Sequence, residues 1–283
     1  MDNKSKVITS GESFLRSKEV HRPVIKRFAK RRIITLGIDD LWAADLMIMT
    51  KYKSENDGYS YILNVIDTFS KYVWSEPLAT KSGPDVAKSF KTILKRAVSV
   101  GHASPNHLHV DKGKEFINKD FKEVLKTNKI HMYHTENEEK SAIIERFNRT
   151  LNNRLKVQFE IRQMFKWVDI LQTLIHDYNN HTHRTIKMKP INVTKKEEPF
   201  LLSVYAKYNQ GTFSKPKLHV GDRVRITKKK ATFGNKYGRN WTREIFTIVK
   251  VANTTPVTYK IEDHNGEEII GSFYERELQR TKF

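Results

Sequence analysis

Three apolar runs in the first third of the chain, Leu41 to Met49, Tyr59 to Ile66 and Tyr72 to Leu78, constrain its fold more than any other feature. Turn formers lie between them: Asn56-Asp57-Gly58 after the first run and Asp67-Thr68-Phe69-Ser70 after the second. Gly, Asn and Asp accept the backbone angles of a tight reversal, so the pattern predicts three consecutive antiparallel strands. The period then changes. Pro84 suits the first turn of a helix, and Val86, Phe90, Ile93, Leu94 and Ala97 recur on one helical face. His107 to Val110 reads as a short strand, Phe121, Val124 and Leu125 as a helical stripe, and Ile130 to Tyr133 as a fifth strand. Two further stripes follow, Ile144, Phe147, Leu151 and Leu155, then Trp167, Ile170, Leu171, Leu174, Ile175 and Tyr178. The order β-β-β-α-β-α-β-α-α predicts an α/β domain over residues 33–200, a mixed five-stranded sheet with helices on both faces.

Beyond this the periodicity weakens, and a linker is expected at residues 201–216. Val220 to Ile226, Ile245 to Val251, Val257 to Ile261 and Ile269 to Phe273 are short strand-like runs separated by turn residues, which predicts a small all-β barrel over residues 217–283. Residues 1–32 mix charge with few periodic apolar positions and end in Lys26-Arg27-Phe28-Ala29-Lys30-Arg31-Arg32, so they read as a basic arm.

Charge narrows the partner. The net charge is +20, with ten basic against three acidic groups in residues 1–32 and fifteen against eight in residues 211–283. A field of that sign concentrates polyanions, which points to nucleic acid. The lack of cysteine excludes disulfides and thiolate zinc sites. No apolar run is long enough to span a bilayer and the N-terminus lacks an apolar leader, so an intracellular protein with no membrane partner is expected.

Three acids carry the chemistry. In an extended Leu41 to Met49, alternation places Asp45 on the face of Leu41, Ala43, Met47 and Met49, where a carboxylate needs a cation or hydrogen-bond donors. A strand acid paired with a basic side chain is the alternative. Asp111 ends a strand ahead of Gly113, where turn or cap residues are also common. Glu145 stands early in the long helix beside the Ile144, Phe147, Leu151 stripe, one turn before Arg149, with which it could form an ion pair. A divalent pair for phosphoryl transfer asks for this kind of hard oxygen set.

Trp42-Ala43-Ala44-Asp45-Leu46, His109-Val110-Asp111-Lys112-Gly113-Lys114-Glu115-Phe116 and Glu145-Arg146-Phe147-Asn148-Arg149-Thr150-Leu151 resemble the core motifs of retroviral-type DDE integrases. Tyr178-Asn179-Asn180-His181, Pro190-Ile191-Asn192-Val193-Thr194, Pro256-Val257-Thr258-Tyr259-Lys260 and Gly271 to Leu278 extend the likeness, which is closest to integrases of Polinton or Maverick transposons. The resemblance implies an RNase H-like core and an SH3-like or chromodomain-like C-terminal barrel. It also implies 3′-end processing and strand transfer, with Asp45, Asp111 and Glu145 holding two Mg²⁺ or Mn²⁺ ions. Element-end DNA and target DNA are the implied partners, and a homo-oligomer is implied because two ends are cut in concert. Two departures stand out: the 33 residues between Asp111 and Glu145 are slightly fewer than retroviral relatives usually have, and no His/Cys zinc-binding head precedes the core. Asp39 and Asp40 compete with Asp45 for the first position but lack the Trp-x-x-Asp context.

DNA contacts are expected from Lys140, Arg146 and Arg149 near the helix start and from Lys228, Lys229, Lys230, Lys236, Arg239 and Arg243 in the barrel. Trp241, among the latter, reads either as a stacking platform or as barrel core. A nuclear location is expected in a eukaryotic host, or carriage in a virus particle. Two other readings remain: a domesticated DNA- or chromatin-binding protein without catalysis, and an RNase H-like nuclease that cuts without joining.

Overall fold

A computed structural model describes residues 10–25, 28, 35–111, 113–134, 142–209, 215–228, 238–269 and 271–283. The chain divides into two compact units, Ile34–Tyr208 and Met1–Ile33 with Asn209–Phe283. The smaller one opens with helix α1 (Glu12–His21).

In the larger unit, β1 (Leu41–Ile48), β2 (Tyr61–Asp67) and β3 (Val73–Leu78) form the antiparallel start of a sheet. Helix α2 (Gly83–Ser99) begins on Ser82, whose side chain accepts from the Asp85 N–H, with Pro84 in the first turn. Strand β4 (His107–Val110) pairs parallel to β1, and after α3 (Lys119–Thr127) strand β5 (His131–His134) pairs parallel to β4. The sheet order is β3-β2-β1-β4-β5. Helices α4 (Ala142–Arg162), α5 (Leu171–Asn179) and α6 (Glu198–Asn209) complete the unit. The mixed five-stranded sheet expected from the sequence is present.

Alternation along the strands builds two cores, one on each face of the sheet. Trp42, Ala44, Leu63, Val65 and Trp74 pack with Phe90 and Ile93 of α2 and Phe121 of α3, and Trp42 stacks on Trp74 at 4.5 Å between ring centroids. On the other face Ala43, Ile62, Ile66 and Val73 meet Ile144, Phe147, Leu151 and Leu155 of α4 and Leu171 and Ile175 of α5. Burying these side chains contributes about 1.5–3 kcal/mol each.

Helix α6 runs through the first part of the stretch expected to be a linker. It is held at its first residue, where Glu198 accepts the Ile38 N–H at 2.9 Å, and further along by buried Leu201 and by Tyr205, whose hydroxyl donates to the Phe69 carbonyl at 2.5 Å. A capping box in which Thr194 and Glu197 bond each other's backbone starts this region. The Thr-x-x-Glu spacing ahead of Phe200-Leu201-Leu202 is the signal that marks it in the sequence.

In the smaller unit β6 (Arg223–Ile226), β7 (Phe246–Ala252), β8 (Thr258–Glu262), β9 (Phe273–Tyr274) and β10 (Leu278–Arg280) form an antiparallel sheet of order β10-β6-β7-β8-β9. It is consistent with the small all-β domain expected. Val224, Phe246, Ile248, Tyr259, Ile261 and Leu278 form its core. Helix α1, in the segment read as a basic arm, is bonded to this sheet. Arg225, 3% exposed, donates from Nε to Glu19 Oε2 at 3.1 Å and from Nη1 to the Thr242 and Arg243 carbonyls. Thr281 also donates to Glu19, and the Trp241 indole donates to the Arg22 carbonyl at 2.9 Å. Among the described residues no helix is long and apolar enough to cross a membrane.

Candidate active site

Strand pairing brings polar residues into one row across an otherwise apolar sheet. Asp45 on β1 is the direct partner of Asn64 on β2, and Asn64 of Ser75 on β3. The parallel pairing of β1 with β4 ends with Ala43 opposite His109, and Asp111 follows two residues later, just past the end of β4 at Val110. Neighbouring strands are about 4.8 Å apart and partners at one register share a face, so Ser75, Asn64 and Asp45 line up beneath α4. Asn64 and Ser75 are fully buried, whereas Asp45 is half-buried and Asp111 exposed.

Helix α4 reaches this row through Asn148. Its Nδ2 donates to Asp45 Oδ2 at 2.7 Å, and its Oδ1 accepts from Asn64 Nδ2 at 2.8 Å. Asp45 Oδ1 takes the Leu46 N–H at 2.9 Å, and Asp111 Oδ1 takes the Gly113 N–H at 3.0 Å. Gly113 makes room there, since a Cβ in its place would lie 2.9 Å from Asp111 Oδ1 and 2.6 Å from Glu115 Oε1. Glu145 precedes Asn148 by three residues and so shares its side of the helix, exposed in the first turn. Among the described residues no ion pair joins Glu145 to Arg149.

The three expected acids are not among the groups of described residues whose ligand atoms all lie within 4.8 Å of one another. Those groups are Asp39, Asp67 and His102, and Glu244, Asp263 and His264. The buried first group is already engaged by the protein. Asp39 accepts from the Trp42 indole at 3.0 Å, from the Ala103 N–H at 2.7 Å, and pairs with His102 Nδ1 at 2.7 Å. Asp67 accepts the Phe69 and Ser70 N–H groups. Burial, with a smaller push from Asp39, raises the Asp67 carboxyl above the usual carboxylate range. Asp39 therefore braces the entry to β1, while Asp45 stands within the strand.

Of the expected DNA contacts, Arg146, Arg149, Lys228 and Arg243 are exposed and Arg239 half-buried. Lys140, Lys229, Lys230 and Lys236 lie outside the described residues. Trp241 is 5% exposed and hydrogen-bonded, so it belongs to the core of its unit and is no stacking platform. Sequence reasoning missed Asn64, Ser75 and Asn148. A polar residue on the inward register of Ile62-Leu63-Asn64-Val65-Ile66 was the available sign.

The integrase core domain family matches residues 38–139, which include Asp45 and Asp111. A putative uncharacterized transposon-derived protein of Caenorhabditis elegans is 32% identical over 232 residues, covering 78% of this chain and 74% of its own length. Among solved structures, the simian T-cell lymphotropic virus intasome in complex with the PP2A regulatory subunit B56 gamma aligns at TM-score 0.65 and 13% identity, over 97% of this chain and 88% of that one. The HTLV-2 integrase catalytic core domain in complex with magnesium aligns at TM-score 0.44 and 16% identity, over 56% of this chain and 97% of that one. With an integrase-core match and a transposon-derived relative of this identity and coverage, the chain belongs to a family of transposon-derived proteins that carry an integrase core domain.

Proposed function

We propose that this chain is the integrase of a mobile element, which trims the 3′ ends of element DNA and joins them to target DNA, with Asp45, Asp111 and Glu145 as its acidic centre. One observation carries the reading: Asp45 lies on β1, which pairs parallel with β4, the strand that leads directly into Asp111, and Asn148 ties the helix that bears Glu145 to Asp45.

The donor set fits the divalent cation that the family implies. Asp45 and Asp111 each accept a backbone N–H, and carboxylate oxygens are the hard ligands Mg²⁺ prefers. Two bound ions would activate the attacking oxygen and stabilise the leaving one. The remaining work falls to the protein. β1 carries Asp45, the end of β4 leads into Asp111, and the first turn of α4 carries Glu145. Exposed Arg146 and Arg149 offer charge to the DNA backbone near this centre, and Lys228, Arg239 and Arg243 do so in the smaller unit. Assembly of several copies on paired ends is part of the same proposal.

The test uses purified full chain, Mg²⁺ or Mn²⁺, labelled element ends and a supercoiled target. Nicked ends and joined products are expected, both lost in Asp45→Asn, Asp111→Asn and Glu145→Gln. Nicking without joining would leave a nuclease, and DNA binding with no turnover would leave a silent DNA-binding protein.

A further inference from the structure

We infer that Asn64 is a positioning residue for the acidic centre, acting through Asn148 and oriented in turn by Ser75; this rests on the proposed role of Asp45. Four side chains form a hydrogen-bond chain with one direction. Ser75 Oγ donates to Asn64 Oδ1 at 2.5 Å, Asn64 Nδ2 donates to Asn148 Oδ1 at 2.8 Å, and Asn148 Nδ2 donates to Asp45 Oδ2 at 2.7 Å.

Direction matters because an amide is a donor at one end and an acceptor at the other. If the Asn148 amide turned over, its oxygen would face the Asp45 carboxylate and its NH₂ group the Asn64 NH₂ group. Asp45 would lose a charge-assisted bond and acceptor would meet acceptor. The Asn148 side chain is only half-buried on a helix surface, so its own packing does not choose between the two orientations. Asn64 does, because it is wholly enclosed in β2 and its oxygen is held by a hydroxyl that is equally enclosed. A hydroxyl can rotate to donate, and this one has an oxygen to donate to.

The arrangement is also costly without such a role. Asn64 and Ser75 sit among Ile62, Ile66 and Val73 on a sheet face packed against Ile144 and Phe147, where an aliphatic pair would add apolar burial. The polar pair instead fixes which end of the Asn148 amide meets Asp45 Oδ2, while Oδ1 is held by the Leu46 N–H. Partners behind a ligating carboxylate typically change metal affinity 10- to 100-fold when removed.

The experiment compares the unaltered full chain with Ser75→Ala and Asn64→Leu, using Mn²⁺ alone as the probe. Free Mn²⁺ is followed by electron paramagnetic resonance, and the Asn148 side-chain amide by ¹⁵N–¹H correlation in the metal-free protein. A roughly tenfold rise in the Mn²⁺ dissociation constant is expected in both variants, with a displaced Asn148 amide signal and a retained cooperative melt. Ser75→Ala removes one oxygen atom and carries the test if Asn64→Leu does not fold, and Ser75→Thr, which restores the hydroxyl, should recover most of the affinity. An unmoved Asn148 signal, or Mn²⁺ affinity within about twofold of the unaltered chain, overturns the inference. Because no readout uses DNA, failure of the unaltered chain to join DNA ends sinks the proposed function without touching this comparison.

Discussion

Asn179 engages both backbone groups of Val73: its Oδ1 accepts the Val73 N–H and its Nδ2 donates to the Val73 carbonyl, each at 2.9 Å. β3 is the edge of its sheet, and the buried amide of α5 takes the place of a sixth strand at this point. Asn179→Leu leaves two buried backbone groups unsatisfied, at about 1–3 kcal/mol each. A chemical denaturation midpoint shifted by less than the equivalent of 1 kcal/mol would contradict this account.

Glu19 and Arg225 make a second long-range pair, 206 residues apart in sequence, with only 4% of the Arg225 side chain and 20% of the Glu19 side chain exposed. Removing one partner of a buried pair strands the other, and Glu19→Ala is expected to cost about 3 kcal/mol. The same pair implies that residues 217–283 expressed alone melt at lower temperature than when a peptide of residues 10–25 is added. Calorimetry with and without the peptide decides.

Acid should weaken the larger unit through His183. Its imidazole is lowered from 6.5 to about 4, chiefly by burial and then by the charges of Lys71, Arg146 and Arg184. Between those two values the unfolded chain binds a proton that the folded one does not, so stability is full above pH 6.5 and falls toward pH 4. The size is on the order of 3 kcal/mol, and His183→Asn should remove that part of the slope. Equal slopes for the two proteins across this window would refute it.

Gly113 tests the proposed acidic centre from another side. A methyl group there meets Asp111 Oδ1 and the Glu115 carboxylate at less than 3.0 Å, and both are side-chain ends that can swing away. Gly113→Ala should therefore fold normally, yet lower metal-dependent cleavage roughly tenfold by displacing Asp111. Unchanged cleavage at saturating Mg²⁺ would argue against Asp111 as a ligand.

Salt should report the cationic contacts. Each phosphate neutralised adds about 0.9 to the slope of log affinity against log salt, so Arg146→Ala and Arg243→Ala should each lower the slope by about 1 on any duplex sequence. Slopes that stay the same in both variants would remove these residues from the interface.

Much of the larger unit was legible because its signals are local. Alternation in Leu41 to Met49 gave the face of Asp45, and the stripe from Ile144 to Leu155 gave the inner side of α4. The two-residue step from His109 to Asp111 is equally local, but its meaning depends on β1 and β4 being parallel neighbours. Asn64, Ser75 and Asn148 were not legible as a set, since the bonds that link them to one another and to Asp45 span 11, 84 and 103 residues. Helix α1 escaped for the same reason. Its apolar content is low, and what holds it is one carboxylate, a few carbonyls and partners at the far end of the chain.

That last feature sets an order of events during synthesis. The strands and helices from Leu41 to Asn209 leave the ribosome as one uninterrupted stretch and can close on themselves, but α1 must wait for Arg225, Trp241 and Thr281 to be made. A chain cut short before these residues could own a finished sheet with Asp45 and Asp111 in place and still lack the second body, so only a fully translated molecule carries both.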